Sequence, residues 1–405
     1  MTVYEESIMN ERALLKQQLR QRAAEMVPVL RERAKACEEA RQVPVETIAD
    51  MQEAGFFKIL QPKKWGGYEL DPQDFYDVQM TVAEGCMSTA WVLGVVAIHN
   101  WQLALFDDRA AQDVWGDDPT TLISSSYMPV GKVSWEGDNL RLSGQWGFSS
   151  GCDHCDWVFL GAIVPPKDGQ AGGPPDMRTF LLPRSDYEIV DDWHVMGLKG
   201  TGSKTIVVDN ALVPEYRTHK AGDGFSCTSP GNAVNEAALY KVPFGQMFVR
   251  AVSTAAIGAL QGAVDSFKES TAKRIGKNDG KMAGADPSAQ MAVAQASSTV
   301  EELKLVLHKN FDRLMEAAAG EGPELSIEER VKMRWDSAAV PQRCVEGVDP
   351  LFALGGGSAI YQGNALMRAF VDIHAGRAHT ANNPDKFGRN WGAVAMGEAN
   401  TDFFL

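Results

Sequence analysis

The spacing of apolar residues changes twice along the chain, and this order constrains the fold more than any single motif does. Residues 10–60 place apolar side chains at helical spacing between Arg and Glu residues. From about 120 to 215, short β-rich runs separated by turn residues replace the helices. After Pro243 the helical periodicity returns and continues to about residue 381. The pattern therefore predicts helices, then strands, then helices again.

This order defines an α+β fold with three parts. The long C-terminal helices are expected to pack as a bundle. No internal repeat and no glycine fingerprint of a dinucleotide-binding fold interrupts the pattern. We predict an N-terminal helical domain (1–118), a small central β-barrel domain (119–216) and a C-terminal helical bundle (217–405).

Charge and cysteine content limit the partners and the compartment. The formal net charge of −14 argues against a duplex nucleic-acid partner, which requires a basic face. Six cysteines in 405 residues are too sparse for a secreted disulfide scaffold. The first six residues do not resemble an export signal, and no stretch approaches the ~20 apolar residues of a membrane span. We expect a cytoplasmic protein with no membrane and no nucleic-acid partner.

The segment from Trp146 to Trp157 combines aromatic rings, adjacent hydroxyls, glycine and thiols within twelve residues. A packing strand would alternate apolar and polar residues instead. Flat rings next to short hydrogen-bond donors suit a flat redox ligand such as a flavin. Cys152 and Cys155 also have the spacing of a metal or dithiol site, but no second pair accompanies them, so we interpret them as structural.

Six segments carry a resemblance to a known family. The chain resembles the acyl-CoA dehydrogenase fold and, within it, the oxygenase components of two-component phenol hydroxylases. It is most similar to members that act on a steroid-derived secosteroid phenol, and more distantly to those that act on p-hydroxyphenylacetate. The match weakens after Lys386. The segments are Gly55–Gly67, His99–Phe106, Ile123–Tyr127, Ser149–His154, Gly197–Ser203 and His374–His379.

The resemblance implies a reaction and its participants. Reduced FMN, with reduced FAD as the alternative, reacts with O2 to form a C4a-hydroperoxyflavin, which hydroxylates a phenol ortho to its hydroxyl. A separate NAD(P)H:flavin reductase supplies the reduced flavin. The subunits are expected to form a homotetramer through the C-terminal bundle.

Three residues are implied as catalytic. By resemblance, Ser150 lies nearest flavin N5, His99 faces the phenolic hydroxyl, and His379 is a second acid–base group near the flavin. From the residues alone, a Ser pair is more often part of a turn, and a lone His on an apolar helix is usually a packed core residue. The surrounding match favours the catalytic interpretation.

Further residues are implied in cofactor binding. Trp91 would wall the flavin or substrate pocket, and Arg274 would contact the flavin phosphate, often across a subunit interface. The alternatives are helix packing for Trp91 and a helix C-terminal cation for Arg274. The full cofactor-binding set is Trp91, Ser125, Phe148, Ser149, Ser150, Arg274 and Arg377.

No metal site is predicted. His374 and His379 are five residues apart, a spacing that does not place both imidazoles on one helix face. His374 is therefore interpreted as structural.

Two other classes of function remain as alternatives. An acyl-CoA dehydrogenase would oxidise an acyl thioester with bound FAD, but the Gly-rich segment Gly355–Tyr361 lacks the carboxylate that this chemistry requires. A non-catalytic scaffold would not need His99, Ser150 and His379 together.

Overall fold

The chain folds in the order that the periodicity predicts, beginning with helices. The computed structural model describes residues 3–167, 173–275, 280 and 282–405. Every residue of the fourth helix is buried, which is unusual for a helix that also carries a His and an Asn. The N-terminal helices are α1 (Val3–Ala40), α2 (Val45–Glu53), α3 (Pro72–Gly85), α4 (Met87–Leu103) and α5 (Asp108–Trp115).

Seven strands form one bent sheet. Their order across the sheet is β5-β6-β2-β1-β3-β4-β7. The first half of β1 pairs in parallel with β3, whereas its second half pairs antiparallel with β2, so β1 bends from one half of the sheet into the other. The strands are β1 (Ile123–Glu136), β2 (Asn139–Ser149), β3 (Trp157–Val164), β4 (Asp176–Pro183), β5 (Glu188–Val190), β6 (Lys204–Pro214) and β7 (Thr218–Lys220).

The predicted central β domain is formed by this sheet. Within the described ranges the two edge strands, β5 and β7, pair only with β6 and β4. The bend encloses its own apolar core around Trp146, which is fully buried. The Trp146 indole N–H lies 2.9 Å from the carbonyl oxygen of Gly161 and 3.1 Å from that of Met128, so this ring serves the core of the sheet.

The last part of the chain is helical and extends further than the periodicity indicates, to Ala395. Its central helix, α8, packs against α3, α9, α11 and α12. The helices are α6 (Ala221–Ser226), α7 (Phe244–Ala251), α8 (Ala255–Thr271), α9 (Pro287–Ala319), α10 (Ile327–Ala338), α11 (Val340–Leu354), α12 (Ala365–Arg377) and α13 (Pro384–Ala395).

One stretch contradicts the expectation about apolar runs. Residues Phe244–Thr271 are long and apolar enough, by length and composition, to cross a membrane. The stretch covers α7 and α8, and 94% of its most apolar window is buried inside the protein. A helix that is apolar on all sides is also what the centre of a helical core requires.

The N-terminal and C-terminal helices share one apolar core. Helices α3 and α8 cross so closely that a Cβ on Gly258 would lie 1.8 Å from the Met80 carbonyl oxygen, so only glycine fits there. Residues from both helical parts belong to the same buried cluster. Helix α4 then connects this core to the sheet through its contacts with β1.

Candidate active site

His99 lies at the boundary between the helices and the sheet. Its side chain on α4 is fully buried, and Nδ1 lies 2.5 Å from the Ile123 carbonyl oxygen at the start of β1. A carbonyl oxygen only accepts, so Nδ1 carries the hydrogen and Nε2 keeps its lone pair. Nε2 has no hydrogen-bond partner. Burial, opposed by the bond to Ile123, lowers the pKa of His99 to about 4, so the ring is neutral at physiological pH.

Strand β1 places Ser125 and Tyr127 beside this imidazole. The Tyr127 ring lies edge-on to His99 with the ring centroids 6.0 Å apart, and Phe159 does the same from β3 at 5.6 Å. The Tyr127 hydroxyl donates to Oε1 of Gln102, one turn after His99 on α4. Ser125 is buried on β1 two residues after Ile123, the residue whose carbonyl oxygen contacts His99. A shared role of His99 and Ser125 at a phenolic hydroxyl stays a prediction.

Tyr127 also borders a largely apolar cavity. Its ring packs edge-on against Phe244 and Phe248, at 5.8 and 4.8 Å between centroids. The last residues of the chain close the far side of this cavity. The lining includes Gln102, Tyr127, Arg178, His219, Phe244 and Phe404.

A second group of predicted residues lies at the other end of α4. The Trp91 ring lies edge-on to the His379 ring with centroids 5.8 Å apart, which joins α4 to the segment after α12. Trp91 precedes His99 by eight residues, or about 12 Å along a helix. The two predicted histidines therefore lie near different ends of α4.

His379 has the opposite hydrogen-bonding pattern from His99. Its Nδ1 accepts a hydrogen bond from the Ala381 backbone N–H at 3.1 Å, so in the neutral ring the hydrogen lies on Nε2. Burial and, next, the charge of Arg334 lower the pKa of His379. The side chain remains partly exposed. His379 can therefore donate a hydrogen bond where His99 can only accept one.

Ser150 lies in the turn that follows β2, and this turn packs against α4. A Cβ on the next residue, Gly151, would lie 2.8 Å from Val92, the neighbour of Trp91 on α4. The Ser150 Oγ lies 2.7 Å from the Ser203 Oγ, in the loop that precedes β6. A backbone bond of 2.8 Å from Gly151 N–H to the Thr201 carbonyl oxygen fixes the turn against the same loop.

Phe148 and Ser149 face different surroundings. The Phe148 side chain is 71% exposed and lies edge-on to Trp193, at a positive φ of 67° that non-glycine residues seldom adopt. The Ser149 hydroxyl is buried and has no hydrogen-bond partner. Phe148 thus offers an open ring face, whereas Ser149 offers a cofactor no exposed side chain.

The two predicted arginines are held by protein groups. Arg274 follows α8, and its guanidinium donates to the carbonyl oxygens of Leu354 and Gly355 at the end of α11. Arg377 Nε donates to Gln342 Oε1 at 2.8 Å. Arg274 thus stabilises the C-terminus of a neighbouring helix, and contact of either residue with a flavin stays a prediction.

The two cysteines of the segment from Trp146 to Trp157 contact the protein backbone. Cys152 and Cys155 are buried as free thiols. Burial raises the pKa of Cys152 to about 12 and that of Cys155 well above its ordinary value. Their Sγ atoms contact the backbone oxygens of Gly202 and Gly151. Among the described residues no group of three His, Cys, Asp or Glu could hold a metal ion.

His374 is a surface residue of the bundle. Its Nε2 lies 2.8 Å from Asp349 Oδ1, and its ring packs on Phe370. The Asp349 contact joins α12 to α11, and a structural role for His374 stays a prediction.

Sequence reasoning missed two kinds of residue. Gln102 and Tyr127 border His99, and each had a usable signal, because Gln102 is three residues after His99 on a helix and Tyr127 is two after Ser125 on a strand. Asp372 had none. It lies in α12, is buried, and accepts the Leu198 backbone N–H at 2.6 Å.

Comparisons with known proteins agree with this architecture. Residues 9–115 match the model of the acyl-CoA dehydrogenase N-terminal domain, and residues 251–384 match that of the C-terminal domain. The solved structure of 3-HSA hydroxylase from Rhodococcus sp. RHA1 superposes with a TM-score of 0.90 and 37% identity, covering 96% of this chain and 99% of that one. These matches define the acyl-CoA dehydrogenase fold.

Two curated relatives narrow the class. The oxygenase subunit HsaA of a flavin-dependent monooxygenase from Rhodococcus jostii (strain RHA1) is 39% identical over 94% of this chain and 99% of its own length. The oxygenase component of p-hydroxyphenylacetate 3-hydroxylase from Acinetobacter baumannii is 30% identical, over 92% and 87%. The chain belongs to the flavin-dependent monooxygenases of the acyl-CoA dehydrogenase family.

Proposed function

We propose that the protein is the oxygenase component of a two-component monooxygenase that hydroxylates a phenol ortho to its hydroxyl group. The observation that carries this proposal is the buried, neutral His99, whose Nε2 lone pair has no partner in the protein. A buried acceptor without a partner is costly unless a ligand supplies the donor. A phenolic hydroxyl is such a donor, and the aromatic surroundings of His99 suit a phenol ring.

The low pKa of His99 decides how this base acts. A phenol has a pKa of about 10, whereas that of His99 is about 4. Full proton transfer in the ground state would therefore cost about 8 kcal/mol, the equivalent of about six pKa units. His99 thus shares the phenolic proton through a hydrogen bond. It takes the proton only as the ring gives electrons to the incoming oxygen and the hydroxyl becomes more acidic.

The other end of α4 fits a flavin ring. Trp91 supplies a flat wall, the partly exposed His379 can donate from Nε2, and Ser150 supplies a hydroxyl. A bound reduced flavin would supply the activation of O2. The contribution of these residues is to orient the ring and to exclude water, which protects a reactive group from side reactions.

The apolar lining of the cavity beyond Tyr127 supports an apolar phenol as substrate. Phe244 lines this cavity, and its ring lies within 6.0 Å of those of Tyr127, Trp101, Phe248 and Phe404, centroid to centroid. A secosteroid phenol derived from a steroid fits this chemistry, and steroid catabolism is the corresponding setting. Gln102, a buried polar group in the lining, is suited to a carbonyl oxygen of such a substrate, whereas Arg178 is held by Asp176 and Glu215.

The remaining partners are part of the same proposal. Reduced FMN is the proposed cofactor, with reduced FAD as the alternative, and a separate NAD(P)H:flavin reductase supplies it. We further propose a cytoplasmic homotetramer. Burial of the exposed Phe148 ring by a cofactor or a neighbouring subunit would be consistent with that assembly.

A direct test combines the purified protein with chemically reduced FMN or FAD, O2 and a panel of phenols of increasing size. The expected result is a catechol product, with the larger phenols favoured. In parallel, the protein is loaded with oxidised FAD and given acyl-CoA thioesters. Reduction of FAD by a thioester without any catechol would overturn the proposal in favour of an acyl-CoA dehydrogenase.

A further inference from the structure

Three hydroxyl groups form a buried chain that ends at Ser150. Ser150 Oγ lies 2.7 Å from Ser203 Oγ, which lies 2.6 Å from Thr201 Oγ1. Thr201 Oγ1 is in turn 2.9 Å from the Leu198 carbonyl oxygen. The exposed fractions of Ser150, Ser203 and Thr201 are 7%, 6% and 1%. The three hydroxyl groups are therefore shielded from water.

The direction of the hydrogen bonds in this chain follows from its last member. A carbonyl oxygen has no hydrogen to give, so Thr201 must donate to Leu198. Each hydroxyl has a single hydrogen, so Ser203 must donate to Thr201, and Ser150 must donate to Ser203. The reverse direction would place the oxygens of Thr201 and Leu198 at 2.9 Å with no hydrogen between them, a costly arrangement in a buried site.

The anchor of the chain is itself fixed. The Leu198 carbonyl oxygen also accepts the Trp193 indole N–H at 3.1 Å, and the Leu198 backbone N–H donates to Asp372. Leu198 has a positive φ of 55°. These contacts hold the acceptor in place, so the direction is built into the fold.

We propose that Thr201 and Ser203 are positioning residues that keep the Ser150 hydroxyl as a hydrogen-bond acceptor, and that this makes the site select reduced over oxidised flavin. The inference rests on the proposed function and on the implication of the resemblance that Ser150 lies nearest flavin N5. Reduced flavin carries a hydrogen on N5 and can donate to Ser150. Oxidised flavin has only a lone pair on N5, which would face the lone pairs of Ser150.

The test measures the ratio of two dissociation constants, for oxidised FMN and for chemically reduced FMN, by anaerobic calorimetric titration. Ser203→Ala removes the acceptor of the Ser150 hydrogen, which then becomes free to turn toward the ligand. Thr201→Val removes the acceptor of the Ser203 hydrogen. Ser203 can then donate to Ser150, and the Ser150 hydrogen becomes free to turn toward the ligand. Both variants should lower the ratio of the oxidised to the reduced constant by roughly three- to tenfold, the worth of one hydrogen bond.

Three controls make the result specific. Thr201→Ser keeps the hydroxyl and should keep the wild-type ratio. Ser337→Ala alters another buried hydroxyl pair, with Ser253 at 2.9 Å, and should also keep it. In the Ser150→Ala background, adding Thr201→Val should change the ratio no further, because the Ser150 hydroxyl that Thr201 and Ser203 would orient is absent.

Two outcomes would overturn the inference, and they are distinguishable. If wild type binds flavin and forms catechol, but Thr201→Val and Ser203→Ala keep its ratio, the positioning role is wrong and the proposed function stands. If wild type binds neither form of FMN or FAD and forms no catechol, the proposed function fails, and the inference fails with it.

Discussion

His99 and His379 are both neutral imidazoles with lowered pKa values, but their hydrogen bonds give them opposite capacities. The Ile123 carbonyl oxygen fixes the hydrogen of His99 on Nδ1. The Ala381 N–H fixes the lone pair of His379 on its own Nδ1. One ring can therefore only accept at Nε2, and the other can only donate. Backbone partners, rather than ionised neighbours, set the two roles.

His99→Ala should abolish hydroxylation while O2 is still consumed. Without the base the phenol ring stays electron-poor, and oxygen leaves as H2O2 instead of entering the ring. We expect a loss of catechol of at least about 100-fold, in the range of a lost general base. The measurement pairs catechol yield with H2O2 release. His374→Ala serves as the control, because that surface ring lies on the α11–α12 contact, and normal catechol yield in His99→Ala would disprove the assignment.

The thiols should show graded reactivity with an aromatic disulfide reagent under native conditions. Five of the six cysteines are buried, and only Cys227 is half-buried. We expect about one thiol to react rapidly, and all six in urea. Rapid reaction of Cys152 and Cys155, identified by mass spectrometry, would restore the dithiol interpretation that the structure argues against.

At the scale of the element, α4 and β1 together build the site. Helix α4 carries Trp91, His99 and Gln102 along one buried length, and β1 faces it with Ser125 and Tyr127. The apolar run of α4 and the β character of β1 were readable from the sequence. The relative position of the two elements could not be read from it, because the His99–Ile123 hydrogen bond depends on how a helix packs on a strand 24 residues later. Periodicity does not encode that distance.

The same limit explains Asp372. Its place on the predicted helix α12 follows from periodicity, but its partner is a backbone N–H 174 residues away. Likewise, the glycine-rich loop that contains Thr201 was recognisable, whereas its hydroxyl chain to Ser150 required the folded loop. Resemblance supplied residue identities, and only packing supplied the direction of the hydrogen bonds.

Asp372→Asn should change the pH dependence of stability. Burial raises the pKa of Asp372 to about 8 from an ordinary value of 3.8, with Cys86 and Glu38 raising it and the Leu198 N–H and Arg368 lowering it. Between these pH values the unfolded chain has lost a proton that the folded chain keeps, so stability falls as pH rises. The asparagine variant lacks this loss and retains an oxygen for Leu198.

We therefore expect the variant to be more stable than wild type by up to about 5 kcal/mol at pH 8, the equivalent of about four pKa units, and equal to it near pH 4. Urea unfolding at several pH values between 4 and 9 measures the difference. A constant difference at every pH would mean that Asp372 is ionised in the folded protein.

At the scale of the whole molecule, the end of the chain closes the cavity. Phe404 packs edge-on against Phe244 and Phe248, at 5.4 and 5.9 Å between centroids. Leu405 is fully buried, and Arg330 donates to its backbone oxygen at 2.5 Å. The segment after Lys386, where the resemblance weakens, thus lines the cavity bordered by Tyr127.

Phe404→Ala should widen the cavity and shift the substrate preference toward bulkier phenols. The loss of the ring should also reduce stability by about 2 kcal/mol, less than a fully buried Phe because Phe404 is half-buried. The measurement is kcat/KM for a fused-ring phenol relative to a single-ring phenol. Met396→Ala, at an 86% exposed position, is the matched control. An unchanged ratio would show that Phe404 does not line the substrate site.

The bond from His99 to Ile123 has a consequence for how such proteins can diversify. The base belongs to the first helical part, but its tautomer is set by the sheet, so neither part carries a working base alone. A chimaera with the helices of one relative and the sheet of another would keep a working base only if the distance between this imidazole and this carbonyl oxygen were the same in both. Modular exchange of domains is therefore constrained by one imidazole, whereas the cavity wall around Phe404 can vary without moving it.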